Sequence, residues 1–267
     1  MDDSSKAAEL VEDVEEIKYG VAVGSPILSV TTVGFTAIYP PNSMGGTYAT
    51  LPGNQPSSYN NFVAIWATTQ IPWTAPALVP PAPIPNNYQG ADFTISSLSL
   101  ANISYIIGYS VGPPSAPNWT SICASAVVNQ GGSAGATDNV SMSINNIGTT
   151  SLAVNYHTLA GYQPTASQNW IGLWAGQVSP YSAPPPMSTV YVPSTNEGVA
   201  VMNSGVFISP NVTYTLIYFM GGALISSTIT SNALAAAILQ FTTTSSLEAV
   251  SLAGYQPAFE FHSTKSK

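Results

Sequence analysis

From Tyr19 onward, apolar residues come in short runs rich in Val, Ile, Thr, Tyr and Phe, and Gly, Pro or Asn interrupts them about every 8–12 residues. Runs of that length and composition predict strands. They include Ile27–Val33, Phe62–Thr68, Tyr105–Val111, Leu152–Tyr156, Trp170–Trp174, Val199–Met202, Tyr214–Met220 and Ala236–Thr242. The 22 prolines fall mainly between the runs, as in Pro184-Pro185-Pro186, where a missing N–H removes no ladder bond. The spacing predicts an all-β sandwich or barrel. Ahead of Tyr19 the period changes: Leu10, Val14 and Ile17 recur at helical spacing behind Ser4 and Ser5, which are N-cap candidates. Residues 4–18 are therefore expected to form one short amphipathic helix. Its apolar stripe either folds against its own sandwich or docks as an arm on a neighbouring subunit.

The strand region repeats. Sliding the chain by 108 residues aligns Tyr48–Pro76 with Tyr156–Pro184 without a gap, and 12 of 29 positions are identical, among them Leu51/Leu159, Gly53/Gly161, Asn61/Asn169 and Trp66/Trp174. With one residue more of offset, Asn102–Tyr105 matches Asn211–Tyr214, and Tyr109 matches Tyr218. The expected organisation is an acidic arm over 1–18, a first sandwich over 19–130, a Gly/Ser linker over 131–139, a second sandwich over 140–244 and a tail over 245–267. Within that tail, Leu252–Pro257 repeats Leu159–Pro164 residue for residue. The hexapeptide is either a favoured turn that was duplicated or a segment able to take the equivalent edge position on another copy. On the second alternative, Leu10, Val14 and Ile17 at one end and Leu252, Tyr255 and Pro257 at the other are candidate assembly arms.

The motif Asn169-Trp170-Ile171-Gly172-Leu173-Trp174, with Tyr214-Thr215-Leu216-Ile217-Tyr218-Phe219 some way downstream, resembles immunoglobulin-like modules of the SKICH and phosphatase-associated kind. The first copy keeps a weaker version in Phe62–Trp66 and Tyr105–Tyr109. The resemblance covers about half of each repeat and implies two tandem immunoglobulin-like antiparallel sandwiches. It implies no function, because such sandwiches host unrelated activities, and the charged residues usual in those modules are missing.

Charge changes the picture most. Twelve Asp or Glu and four Lys or Arg make 6% of the chain, against about 25% in an ordinary soluble domain. Seven of the acids and two lysines lie in residues 1–18, Lys265 and Lys267 close the chain, and residues 19–264 contain no Lys or Arg. Binding to nucleic acid is excluded, since neutralising a run of phosphates needs clustered basic side chains. No apolar run reaches the ~20 residues of a membrane-spanning helix, and the first residues lack the basic and apolar regions of a Sec signal. A cytoplasmic inclusion or leaderless export is the expectation. Trypsin should leave 19–265 as one fragment even after unfolding, as electrophoresis of a denatured digest would show. The single cysteine, Cys123, forms no internal disulfide.

Catalytic patterns are weak. Gly131-Gly132-Ser133-Ala134-Gly135 fits G-x-S-x-G but sits in a flexible seam without the strand and helix that a nucleophile elbow requires. His157 stands where the first copy has Ala49 and reads as a dispensable surface histidine. The remaining acids, Asp92, Asp138, Glu197, Glu248 and Glu260, occupy no matching repeat positions, and no metal-ligand spacing occurs. No enzyme activity, cofactor or metal is expected. Trp66 and Trp174 are expected in the core. Trp73, its counterpart Tyr181, and Trp119 follow or flank prolines and are expected at the surface, where aromatic rings beside Asn and Gln suit sugar stacking. Asn-x-Ser/Thr sequons occur at Asn102, Asn118, Asn139 and Asn211, and a turn before a strand explains the repeat-equivalent Asn102 and Asn211 without any glycan. The leading expectation is a structural protein that assembles with itself into a lattice, filament, sheath or crystalline inclusion. The alternative is a non-catalytic glycan-binding or adhesive protein.

Overall fold

In a computed structural model, the described residues are 19–115, 118–203, 205–222 and 234–247. The expected N-terminal helix with Leu10, Val14 and Ile17, and the tail segment with Leu252, Tyr255 and Pro257, lie outside them. The described chain is almost entirely strand and loop, as the pattern of short apolar runs requires. Two strands come first, β1 (Tyr19–Val23) and β2 (Ile27–Val30). The first copy then supplies β3 (Thr32–Tyr39), β4 (Ser43–Ala49), β5 (Phe62–Trp66), β6 (Ala82–Pro83), β7 (Gly90–Ile95), β8 (Tyr105–Ser110) and β9 (Ile122–Val128). After β10 (Ala134–Asn139), the second copy supplies β11 (Ser141–Ile147), β12 (Leu152–His157), β13 (Trp170–Ala175), β14 (Ser188–Tyr191), β15 (Glu197–Met202), β16 (Thr213–Phe219) and β17 (Ala235–Leu247).

Each copy builds one small and one large antiparallel sheet. In the first copy the orders are β3-β4-β7 and β10-β9-β8-β5-β6; in the second they are β11-β12-β15 and β1-β17-β16-β13-β14, with β2 also on β17. The edge strands tie the copies together. Only Thr31 separates β2 from β3, yet β2 pairs with β17 of the second copy while β3 belongs to the first. Only Val140 separates β10 from β11, yet β10 pairs with β9 of the first copy while β11 belongs to the second. The registers agree: Val30 lies opposite Ala237 and Asn139 opposite Ala124, the residues that face Tyr218 and Tyr109 on the neighbouring strands. The amides at the two crossings also agree, with Thr31 N–H donating to Ala236 O at 3.1 Å and Val140 N–H to Cys123 O at 2.8 Å. The two copies are thus joined by a reciprocal exchange of edge strands about a pseudo-twofold relation.

Two sequence boundaries are corrected by this pairing. Ala134–Asn139, expected in a linker, is strand β10, because an edge strand needs only backbone partners and tolerates small polar side chains; Gly131 and Gly132, at φ 85° and 81°, make the turn into it. Strand β17 continues to Leu247, past the expected sandwich end at 244, because β1 pairs with its last five residues, Tyr19 opposite Leu247.

The central strands are buried on both faces. Val63 and Ile65 of β5 face a main core that draws residues from both copies, while Phe62, Ala64 and Trp66 face a second cluster on the opposite side. The same division holds in β13, where Ile171 and Leu173 face the main core and Trp170 and Trp174 a third cluster. Such strands read as continuous apolar runs without alternation, because neither face meets water. Trp66 and Trp174 are in the core as expected, but they lie across their sheets from Tyr109 and Tyr218, which belong to the main core.

Candidate functional site

The second faces of the two large sheets are covered reciprocally. Leu51, on the turn after β4, packs with Trp170, Trp174, Ile217 and Phe219 of the second copy. Its counterpart Leu159, after β12, packs with Phe62, Trp66, Ile106 and Trp119 of the first. The glycines two residues on, Gly53 and Gly161, have φ 87° and 73°, so only glycine adopts these turns without strain. Each is also closely approached by an aromatic ring of the other copy: a Cβ would lie 3.2 Å from Tyr181 at Gly53, and 3.3 Å from the Trp73 indole nitrogen at Gly161.

The three rings expected at the surface are therefore placed differently. Trp119 is 2% exposed; its indole N–H donates to Ala75 O at 2.7 Å, and its ring meets Trp66 edge-on at 5.2 Å. Trp73 is half-buried, donates its indole N–H to Ala160 O at 2.9 Å and packs on Tyr162 at 4.7 Å. Tyr181 is half-buried and stacks on Tyr59 at 5.5 Å with the planes 16° apart. The position after a proline instead carries Trp73 and Tyr181 across to the other copy, while Trp119 is buried against Phe62 and Trp66 of its own copy.

Trp73 and Trp119 nevertheless share a groove of about 640 Å³, whose rim carries the amides of Gln70, Asn118 and Gln163 together with Ser167. No Asp, Glu, His, Lys or Arg lines it. Tyr181 is not part of it. A smaller groove of about 250 Å³ lies on the related side, beside Pro52, Ser179 and Pro180.

Beneath these turns lie two buried polar hubs that the sequence reading did not single out. Asn169 is fully buried; its Oδ1 accepts the Tyr162 hydroxyl at 3.1 Å and its Nδ2 donates to the Tyr218 oxygen at 2.9 Å. Thr120 O of the first copy is a second acceptor within reach of the same Tyr162 hydroxyl proton. In the first copy, Asn61 Oδ1 accepts from the Tyr109 hydroxyl at 3.1 Å and from Asn54 Nδ2 at 3.0 Å. Burial pushes the Tyr162 hydroxyl up to about 12 and those of Tyr109, Tyr181 and Tyr218 well above their ordinary value, so all stay protonated. The signal was present, since Asn61/Asn169 and Tyr109/Tyr218 are identical in both copies.

His157 lies at the surface, as expected, with its side chain 39% exposed, and it is hydrogen-bonded. Its Nε2 lies 2.8 Å from Asp138 Oδ1 and its Nδ1 4.0 Å from Glu197 Oε2. These are three of the four Asp, Glu, His, Lys or Arg residues among the described ones; Asp92 is the other. Among the described residues, no group of three or more His, Cys, Asp or Glu is arranged to hold a metal ion, and no helix is long and apolar enough to cross a membrane. Ser133 of the G-x-S-x-G pattern lies in the β9–β10 hairpin turn, where its carbonyl accepts from Asn129 N–H at 2.8 Å; a strand follows it. Set against known protein families and curated proteins, the chain matches no family model and no curated protein.

Proposed function

We propose that the protein is a structural element that assembles with itself, built from two immunoglobulin-like sandwiches whose uncharged surfaces pack against further copies. The carrying observation is the described surface: three carboxylates, one histidine and no Lys or Arg, with large apolar side chains left in water. Ile27, Tyr88 and Phe207 are each about two-thirds exposed or more. Net charge is what ordinarily opposes close self-contact, and burying uncharged hydroxyls and amides avoids the several kcal/mol per ion that charged groups cost. On the outer face of the second small sheet, Val199 and Val201 stand where the first copy has Asp92 and Thr94, so one face of the molecule is more apolar than its counterpart. The chain enters at Tyr19 and leaves at Leu247, which pair with each other.

Sedimentation velocity and negative-stain imaging of the full chain test this reading. Large ordered particles that persist in high salt are expected, and Val199→Lys with Val201→Lys should dissolve them. A monodisperse monomer at high concentration, with and without salt, would refute it.

A further inference from the structure

We infer that the groove at Trp73 is a binding site for a neutral saccharide, with Trp73 as the stacking ring and the amides of Gln70, Asn118 and Gln163 as hydroxyl partners. The pseudo-twofold relation sets this groove apart from its counterpart. Trp73 and Tyr181 are counterparts, and so are Ser167 and Tyr59, each pair 108 residues apart. On one side of the molecule the Tyr59 ring lies over the Tyr181 ring, nearly parallel, at 5.5 Å. On the other side Ser167 stands where that second ring would originate, and it lines the groove beside Trp73. The two counterpart rings are therefore covered differently: Tyr59 stacks flat on Tyr181, whereas Trp73 meets only the tilted ring of Tyr162, at 4.7 Å and 55°, and the groove with Ser167 in its lining opens beside them.

What fits the groove follows from its lining. A volume of about 640 Å³ lies within the range of ligand sites, roughly 300–1,000 Å³. A flat indole calls for a flat apolar face, and a pyranose presents one in its C–H groups. Carboxamides offer both a donor pair and an acceptor, as a hydroxyl-rimmed ring requires. The lack of any ionisable side chain in the lining disfavours an anionic or cationic ligand, whose charge would lose hydration without gaining a partner. The indole N–H is already committed to Ala160 O, which fixes the ring in place before a ligand arrives.

The test uses the purified full-length protein on a printed array of neutral mono- and oligosaccharides, with sialylated and sulfated glycans on the same slide. The best neutral hit is then titrated against tryptophan fluorescence. Ser167→Tyr should lower affinity about tenfold or more by filling the groove. Tyr59→Ser should leave that affinity unchanged. If Ser167→Tyr fails to fold, the double variant Asn118→Ala with Gln163→Ala, both exposed, takes its place with the same expected loss. Binding of no neutral glycan, binding of acidic glycans alone, or a folded Ser167→Tyr or rim variant that binds as the wild type does would each overturn the assignment.

Discussion

Truncating Leu51 to alanine tests whether the two copies are energetically one unit. The side chain is fully buried, and its neighbours Trp170, Trp174, Ile217 and Phe219 all belong to the other copy. Removing three carbons forfeits about 0.8 kcal/mol each in transfer from water, roughly 2.4 kcal/mol, before any cavity is counted. Trp170 and Phe219 are stacked at 4.2 Å and 12°, and rings held this way collapse poorly into a void. The expected loss therefore sits in the upper part of the usual Leu→Ala range, about 3–5 kcal/mol. For a chain of this size that corresponds to a fall in midpoint of roughly 6–20 °C. Differential scanning calorimetry should show one transition displaced as a whole. Hydrogen exchange should show protection lost along β13 and β16, in the copy that does not contain residue 51. Two separate transitions with only one moved, or exchange changes confined to the first copy, would refute the claim that the strand exchange and the reciprocal leucines make a single cooperative body.

The crossing amides make a second case: Val140→Pro deletes the donor to Cys123 O, and the buried carbonyl left alone should cost about 1–3 kcal/mol. Urea unfolding checks this, and an unchanged midpoint would show that the crossing is dispensable. Asn169→Ala removes the donor to Tyr218 and one of the two acceptors of the Tyr162 hydroxyl, leaving Thr120 O, so a loss of about 1–3 kcal/mol is expected by the same method, while Asn169→Asp should retain the acceptor half. Alkali should destabilise the protein. Burial raises the Cys123 thiol from about 9 to about 12 and the Tyr162 hydroxyl from about 10 to about 12, so in that window the unfolded chain releases protons that the folded protein retains. Stability then falls as pH rises, by about 1.4 kcal/mol per pH unit for each such group. Denaturation midpoints that hold steady between about pH 8 and about pH 11 would contradict this.

Much of the fold was legible because it rests on local pattern. Each of the eight apolar runs from Ile27 to Thr242 overlaps a strand, although Ile27–Val33 is divided at Thr31 between β2 and β3 and Phe62–Thr68 outlasts β5 by two residues, and the 108-residue displacement aligns β5 with β13. What escaped was the meaning of continuity in those runs. Phe62-Val63-Ala64-Ile65-Trp66 lacks alternation because both faces are covered, and the cover for one face includes Leu159, about a hundred residues away. Nothing local announces such a partner. Edge strand β10 escaped for the opposite reason: Ala-Gly-Ala-Thr-Asp-Asn has no apolar signal, and its place depends on backbone pairing with β9 alone. Trp119 was misplaced because Pro117 and Asn118 suggest a loop, while the indole is held by Trp66 and the Ala75 carbonyl, which are distant in sequence.

The pseudo-twofold relation also sorts structural residues from the rest. Positions that must satisfy the same local geometry twice are identical: Leu51 and Leu159 as wedges, Gly53 and Gly161 at positive φ beneath a ring, Asn61 and Asn169 inside the hubs. Packing alone accounts for them, so their identity carries no message about ligands. The informative positions are those where the geometry repeats and the residue does not. Asp138, His157 and Glu197 form a polar cluster where the first copy has Ser29, Ala49 and Gly90. Val199 replaces Asp92 on the outer sheet, and Ser167 replaces Tyr59 beside a ring. A fold that needed only to be stable could have used one solution on both sides. These departures lie at or near the surface, so selection on contact with something outside the chain is the simplest physical reason for them. Exchanging the exposed pair between copies, Val199→Asp with Asp92→Val, should therefore alter assembly while changing the unfolding free energy by no more than the ~0.5 kcal/mol typical of surface changes at each site, which urea unfolding and sedimentation velocity would check.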